Sequence, residues 1–228
     1  MDVAIIGGTG AEGFGLTLRL AKAGHHVTIG SRDAGRAAAK AVEARGILGA
    51  DANVSGAENP AAAAAAPVVI VTVPFEGAAA IYEAIAPAIT PETIVCDCTS
   101  PLMASVGGRA SHALHPWHGS AAEFVRTLLP HGTRLVAGFH TVSAGVLRAL
   151  DKPVDSDTFV MGEDAEAKAT IGSLADDIEG MRWVDLGGLQ MARIAEQMTP
   201  LLISVNVRYK IHDAGFRMTG RDPWGAPG

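Results

Sequence analysis

The loop Gly8-Thr9-Gly10-Ala11-Glu12-Gly13 follows an unbroken apolar run, residues 3–6, and opens an amphipathic stretch, residues 13–23. No other feature constrains the chain as much. The apolar run reads as a strand buried on both faces. The loop must then turn sharply, bring backbone N–H groups close to a ligand, and let a helix pack tightly on the sheet. Glycine permits all three. The helix N-terminus adds partial positive charge, so the expected ligand of Gly8, Thr9, Gly10, Ala11, Glu12 and Gly13 is a pyrophosphate. The motif sits in a complete strand–helix–strand unit of about 30 residues, the context that gives a GxGxxG its meaning.

The alternation continues. Residues 26–29, 68–73, 93–98, 134–142 and 157–161 read as strands. Residues 34–45, 77–86, 120–129 and 165–178 read as helices, and residues 189–215 as a long C-terminal helix bent or broken at Pro200. Strands separated by helices imply right-handed crossovers and a parallel sheet. The expected class is α/β: a Rossmann-type doubly wound parallel sheet over residues 1–145, with a smaller C-terminal α/β cap over residues 146–228. The Gly/Pro-rich tail, residues 221–228, is expected to be loose.

Composition narrows the partners. The chain has 228 residues, 48% hydrophobic and 18% charged, with net charge −6, so neither nucleic acid nor an anionic membrane is an expected partner. No apolar run reaches the roughly 20 residues of a membrane helix. The N-terminus opens into a strand without the pattern of a cleaved leader. The two cysteines, Cys96 and Cys98, share one face of a strand at a spacing that suits no disulfide, which fits a reduced, cytoplasmic setting.

The second strand ends in Gly30-Ser31-Arg32. An Asp or Glu at that point would take a ribose 2′-OH. Ser31, Arg32 and Arg36 instead offer a hydroxyl and two cations, suited to a 2′-phosphate, so NADP(H) is expected over NAD(H). Asp33 is placed to cap the following helix.

The stretches around Gly7–Leu16, Arg19-Leu20-Ala21 and Ile29-Gly30-Ser31-Arg32 resemble the NADPH-dependent coenzyme F420 reductases. So do Thr72-Val73-Pro74-Phe75-Glu76, residues 138–144 (GFHTVSA) and residues 199–206 (TPLLISVN) with Arg208-Tyr209-Lys210. The resemblance covers most of the chain in the right order. It implies hydride transfer between nicotinamide C4 and the C5 of a deazaflavin, and a homodimer or higher homo-oligomer. It implies that Thr9, Gly10, Ala11 and Glu12 hold the pyrophosphate. Thr72, Val73, Pro74 and Ala144 would border the nicotinamide and its ribose, while His140, Val142 and Thr199 would line the deazaflavin pocket. Residues 107–119, with His112, His115, Pro116, Trp117 and His118, depart from the family's linker, and Gln197 stands where a small residue is common.

Read as residues, His140 is either a donor to charge developing on a bound ring or a histidine satisfied at a strand end. Thr199 either bonds a ring carbonyl or marks a helix bend before Pro200. Glu76 reads as a helix cap. His112, His115 and His118 are interrupted by Pro116 and lack a neighbouring Cys or carboxylate at ligand spacing, so no metal is expected. Leu201, Leu202, Ile203, Val205 and Val207 suit a dimer face or a core equally.

Two other functions fit the first domain. One is reduction of a different small acceptor, such as an imine, a hydroxy acid or a quinone-like compound; the other is a non-catalytic NADP(H) sensor. Hydroxyacid chemistry generally needs a Lys as acid or base, and in the C-terminal half only Lys168 and Lys210 are candidates.

Overall fold

The computed structural model describes residues 1–220 and Trp224. Among them, eight strands form one sheet: β1 (Asp2–Ile6), β2 (His26–Ser31), β3 (Val54–Glu58), β4 (Val68–Val71), β5 (Ile94–Asp97), β6 (Arg134–Ala137), β7 (Ser156–Gly162) and β8 (Met181–Asp185). Their order is β3-β2-β1-β4-β5-β6-β7-β8. The first six run parallel, β7 is antiparallel to β6, and β8 is parallel to β7.

The apolar runs supply both faces of this sheet. Ala4, Ile6, Val69, Val71 and Val95 pack on one side, against α3 (Asn59–Ala64), α4 (Phe75–Ile85), α5 (Ala121–Arg126) and α8 (Ala192–Tyr209). Val3, Ile5, Val68, Ile70 and Cys96 pack on the other, against α1 (Ala11–Lys22), α6 (Ala144–Arg148) and α7 (Ala165–Asp176). A third cluster joins α1 to α2 (Ala34–Leu48) through Phe14, Leu18, Ala37 and Ala41. Cys96 and Cys98 lie in the second of these clusters as free, buried thiols, as their spacing predicts. Helices thus cover both faces, which is the doubly wound α/β arrangement.

Several boundaries differ from the sequence reading. β3 carries no strong apolar signal because α2 lies directly on that edge, and α3 is an alanine run packed against β1, β2 and α4. A Cβ on Gly56 would come 2.7 Å from the backbone nitrogen of Ala38, so only small residues fit. β8 is a short edge strand with Met181, Trp183 and Val184 buried. β6 stops at Ala137 rather than at residue 142, because Phe139 takes a left-handed backbone (φ 64°) and turns the chain off the sheet. The C-terminal helix starts at Ala192 after a 3-10 turn, runs through Pro200, and ends where Lys210 turns left-handed (φ 55°). Beyond it, residues 211–218 form a strap held on β7. The Asp157 carboxylate accepts from Arg182, from Arg217 at 2.7 Å and from the Met218 N–H at 2.6 Å. Of the tail expected to be loose, all but Trp224 lies outside the described residues.

Arg19 shows how tertiary structure uses a residue that reads locally as surface charge. Its guanidinium is buried and donates to the carbonyls of Val146, Leu147, Ala149 and Lys152 at 2.7–2.9 Å. These are the C-terminal carbonyls of α6 and the turn after it, so one cation ties α1 to the segment that follows β6.

Candidate functional site

The strand order reverses between β1 and β4, and in sheets of this kind ligands bind at the carboxyl ends beside that point. A cavity of about 350 Å³ opens there. It is lined by Gly7, Thr9 and Gly10 after β1, Ser31, Arg32 and Arg36 after β2, Asn59 after β3, and Thr72, Val73 and Pro74 after β4. Residues far apart in the chain, singled out separately in the sequence, therefore meet in one cleft.

The glycines shape the cradle. Gly7 turns the chain with φ 79°, and a Cβ there would lie 2.8 Å from the Thr72 carbonyl oxygen. Gly8 does not line the cavity; it is buried where a Cβ would meet the Ile5 carbonyl oxygen at 2.8 Å. Gly13 lets α1 approach, since a Cβ would lie 2.8 Å from the Gly8 Cα. Ala11 opens α1 at the surface, and Gly10 is its N-cap without a side-chain bond, leaving the first-turn N–H groups directed at the cavity mouth. Thr72 is fixed by donating its hydroxyl to the Ile6 carbonyl at 3.1 Å.

The cation pair also takes shape. Asp33 caps α2, accepting from the Arg36 N–H at 2.7 Å, as its position after the strand predicts. Neither the Arg32 nor the Arg36 side chain has an ion-pair partner among the described residues, and both are exposed at the cavity. Asn59 escaped the sequence reading. It is 3% exposed, its Oδ1 has no hydrogen-bond partner among the described residues, and it sits beside Ser31 and Arg32. Glu76 does not cap α4; that position belongs to Pro74. Glu76 instead lines the cavity and accepts from the Ser105 hydroxyl at 2.7 Å.

His140 and Thr199 lie together one step further along the sheet. The left-handed turn at Phe139 carries His140 inward, and such backbone conformations concentrate at working sites. The Thr199 hydroxyl donates to the His140 carbonyl at 2.8 Å and so accepts from the Ser100 hydroxyl at 2.7 Å. Thr199 thus anchors the chain carrying His140 to α8. The imidazole is 6% exposed and neither ring nitrogen has a partner among the described residues. Val142 is turned into the core and borders a different cavity of about 630 Å³, shared with Ser143, Gly145 and His212. Ala144 opens α6 close to α1, with its carbonyl 3.6 Å from where a Gly15 Cβ would stand.

The loop at residues 107–119 is not helical, and His112, His115 and His118 are exposed and do not converge. His118 rests on Phe124 with ring centroids 5.1 Å apart. The candidate lysines are otherwise engaged or peripheral. Lys168 pairs with Asp185 at 2.8 Å, joining α7 to β8, and Lys210 is the exposed cap of α8.

Two buried acids, Asp97 and Glu196, gather near His140, and the half-buried Glu12 acts on Asp97. Burial pushes Glu12 up to about 8, with the charge of Asp97 adding to the effect. Burial raises Asp97 to about 6 against the opposing hydrogen bonds from Tyr82 and Thr99. Burial raises Glu196 to about 8 although the Ala121 and Ala122 N–H groups favour its charged form. His140 goes the other way, to about 4, because burial disfavours the imidazolium. Glu196 was legible in principle: helical spacing puts it on the face of Ala192, Ala195 and Pro200, and an acid on a buried face is a signal.

These shifts make stability depend on pH in a definite direction. A carboxyl with a raised folded-state value holds a proton that the unfolded chain has released, so its contribution is lost as pH rises through that value. The opposing His140 contribution is complete above about 6.5. Between about pH 6.5 and 8, Glu12 and Glu196 alone set the slope among these four. The melting temperature is therefore expected to fall across that window. Melting curves that rise over it, or that fall equally in Glu196→Gln, would refute the assignment.

The fold and the cleft define a class: a doubly wound α/β protein with a glycine-rich turn into a helix N-terminus and a cation pair beside it. Comparison with known proteins goes further. Residues 2–101 match the family model described as NADP oxidoreductase, coenzyme F420-dependent. The F420-dependent NADP reductase of Methanothermobacter thermautotrophicus is 42% identical over 96% of this chain and 95% of that protein. That of Methanocaldococcus jannaschii is 40% identical over 96% of this chain and 98% of its own length. A crystal structure of a protein from Arthrobacter sp. FB24, described as a putative F420-dependent NADP-reductase, superposes with TM-score 0.80 at 27% identity, covering 96% of this chain and all of that one. Imine reductases share the fold at about 20% identity or less, as in the Streptomyces aurantiacus enzyme with TM-score 0.61. The chain belongs to the coenzyme F420-dependent NADP oxidoreductase family.

Proposed function

We propose that this protein transfers a hydride between NADP(H) and the deazaflavin coenzyme F420, with NADP(H) in the cleft at the strand-order reversal and the deazaflavin on the side of His140 and Thr199. The observation that carries the reading is the convergence of the glycine cradle, Ser31, Arg32 and Arg36 with Thr72, Val73 and Pro74 in one cleft at the strand-order reversal. The cradle suits a pyrophosphate because Gly7, Thr9 and Gly10 line it and the first turn of α1 has no side-chain cap, while a Cβ at Gly7 or Gly13 would push its packed backbone apart.

In this reading Thr9, Gly10, Ala11 and the first turn of α1 at Glu12 hold the pyrophosphate. Ser31, Arg32 and Arg36 take the 2′-phosphate, with Asn59 beside them. Thr72, Val73 and Pro74 border the nicotinamide, and Ala144 lies on its far side. His140, Thr199 and Val142 belong to the deazaflavin side, which residues 146–228 complete as a smaller C-terminal unit. When both are bound, the nicotinamide and the deazaflavin supply the redox chemistry, and the hydride passes directly between them. The protein's work is to orient the rings and exclude water. The protein is read as cytoplasmic. It is read as a homodimer through the outer face of α8, where Leu201, Val207 and Tyr209 are exposed.

Purified protein mixed with NADPH and oxidised F420 is expected to bleach the deazaflavin absorbance, much more slowly with NADH. Tight NADPH binding without bleaching would move the function to another acceptor or to NADP(H) sensing. Lys168, the lysine that hydroxyacid chemistry would call on, is held by Asp185, which argues against that alternative.

A further inference from the structure

Three titratable side chains from three separate elements meet in the interior beside the Phe139 turn. One ligand-type atom each from Asp97 at the end of β5, His140 after the Phe139 turn, and Glu196 on α8 lie within 4.8 Å of one another, all buried. Asp97 Oδ2 and both imidazole nitrogens have no hydrogen-bond partner among the described residues. A buried polar atom without a partner is costly, and three in one place ask for a common explanation.

A bound cation is one explanation, and the geometry disfavours it. Asp97 Oδ1 already accepts from the Tyr82 and Thr99 hydroxyls, each at 2.7 Å. Each Glu196 oxygen already accepts a backbone N–H, from Ala121 at 2.8 Å and Ala122 at 3.0 Å. A zinc ion with ligand bonds near ~2.1 Å would need a more compact set of free donors.

Resting on the function proposed above, we propose that Asp97, His140 and Glu196 form a buried proton relay, in which Glu196 supplies through His140 the proton that accompanies hydride transfer. Reducing the deazaflavin takes a hydride at C5 and leaves negative charge on the ring, which one proton neutralises. His140 gives that proton from a ring N–H. Its other nitrogen, or the same one after rotation, receives a proton from the Glu196 carboxyl, whose O–H bond breaks. Solvent restores the carboxyl after product leaves, and the reverse reaction runs the same path backwards. The neutral ring carries one N–H; once that proton is given and the second nitrogen has taken the Glu196 proton, Asp97 accepts the new N–H through its unpartnered Oδ2 and orients the ring.

The surroundings suit the role. Glu12 faces the cluster from α1, and Tyr82 from α4 donates to Asp97. Cys96 and Cys98 flank Asp97 at the end of β5. Glu123 of α5 adds negative charge near Glu196, with Arg193 against it at 3.4 Å. This excess of acid favours keeping a proton on Glu196 at neutral pH, and burial lets His140 stay a neutral shuttle rather than a trapped imidazolium.

The test uses the full chain and two readouts. In the free protein, infrared difference spectroscopy between pH 7 and pH 9.5 is expected to show a protonated-carboxyl band that weakens in Glu196→Gln. In single-turnover reactions of NADPH with F420, Glu196→Gln is expected to slow hydride transfer at least ~10-fold. It should also remove the decline of the rate above about pH 8, with the KM for NADPH unchanged. Asp97→Asn should slow the same step with the pH profile displaced. An unchanged infrared band would overturn the relay. So would a pH profile in Glu196→Gln that keeps its wild-type shape, because a residue that only capped α5 would lower stability and nothing else. One zinc or manganese ion per purified chain would overturn it too, in favour of a cation site. Failure of the wild type to bleach F420 would instead refute the choice of acceptor, and the infrared result on the free protein would be unaffected.

Discussion

Replacing both Arg32 and Arg36 with Ala is expected to raise the Kd for NADPH about 100-fold while changing that for NADH less than ~3-fold. Each guanidinium is exposed at the cleft without an ion-pair partner among the described residues, so each is available to a phosphate dianion. A hydrogen bond to a charged group contributes about 1.5–3 kcal/mol, and solvent exposure places these at the lower end. Two together give about 3 kcal/mol, or two decades of affinity. NADH has no 2′-phosphate and loses only weak contacts. The change should leave folding intact, since Asp33 caps α2 through the Arg36 backbone N–H rather than its side chain. Titration of both dinucleotides by fluorescence decides the matter: equal weakening of the two would remove the 2′-phosphate assignment. The effect should also shrink as ionic strength rises, because exposed charges are screened within about 8–10 Å at physiological salt.

Gly13→Ala is the second large effect. The added methyl would stand 2.8 Å from the Gly8 Cα and 2.9 Å from the Gly7 carbonyl, and against the Thr72 hydroxyl. Two of these neighbours are backbone of the cradle itself, so relief must come from lifting α1 off the sheet. Overpacking of this kind costs about 1–3 kcal/mol of stability. The displaced helix N-terminus also leaves the pyrophosphate position, so NADPH and NADH should weaken together by ~100-fold or more, unlike the arginine variant. Gly46→Ala is the control. It lies within α2 with nothing within 4 Å of its new methyl, and should stabilise by about 0.5–1 kcal/mol without touching affinity. Denaturant melts and dinucleotide titrations separate the two. Tight NADPH binding by Gly13→Ala would show that the close approach of α1 is not what forms the cradle.

Which parts of the protein were legible beforehand follows from the range of the forces involved. Residues 3–6 and 68–71 declare themselves because strands buried on both faces must be apolar throughout, and the cradle because a strand–turn–helix of that tightness requires glycine at fixed offsets. Arg32 and Arg36 stand on one turn of chain with the Asp33 cap between them, so local spacing alone brings them together. β3 escaped because its small residues answer to α2 packed upon it, a constraint invisible within five residues of sequence. The end of β6 escaped because Phe139 is no usual occupant of a left-handed turn. It is held there by burial and by its N–H bond to the Thr158 hydroxyl at 2.9 Å.

The sequence by itself determined the α/β class, the tight glycine turn into α1 and the pair of cations after β2, because these depend on periodicity, glycine and charge within one supersecondary unit. The tertiary structure alone decided how Arg19 ties α1 to α6, how Asn59 enters the cleft, and how Asp97, His140 and Glu196 come together. Asp97, His140 and Glu196 are 43 or more positions apart, and their meaning arises from burial: a carboxyl that is ordinary in water becomes a proton store only once folding removes the water around it.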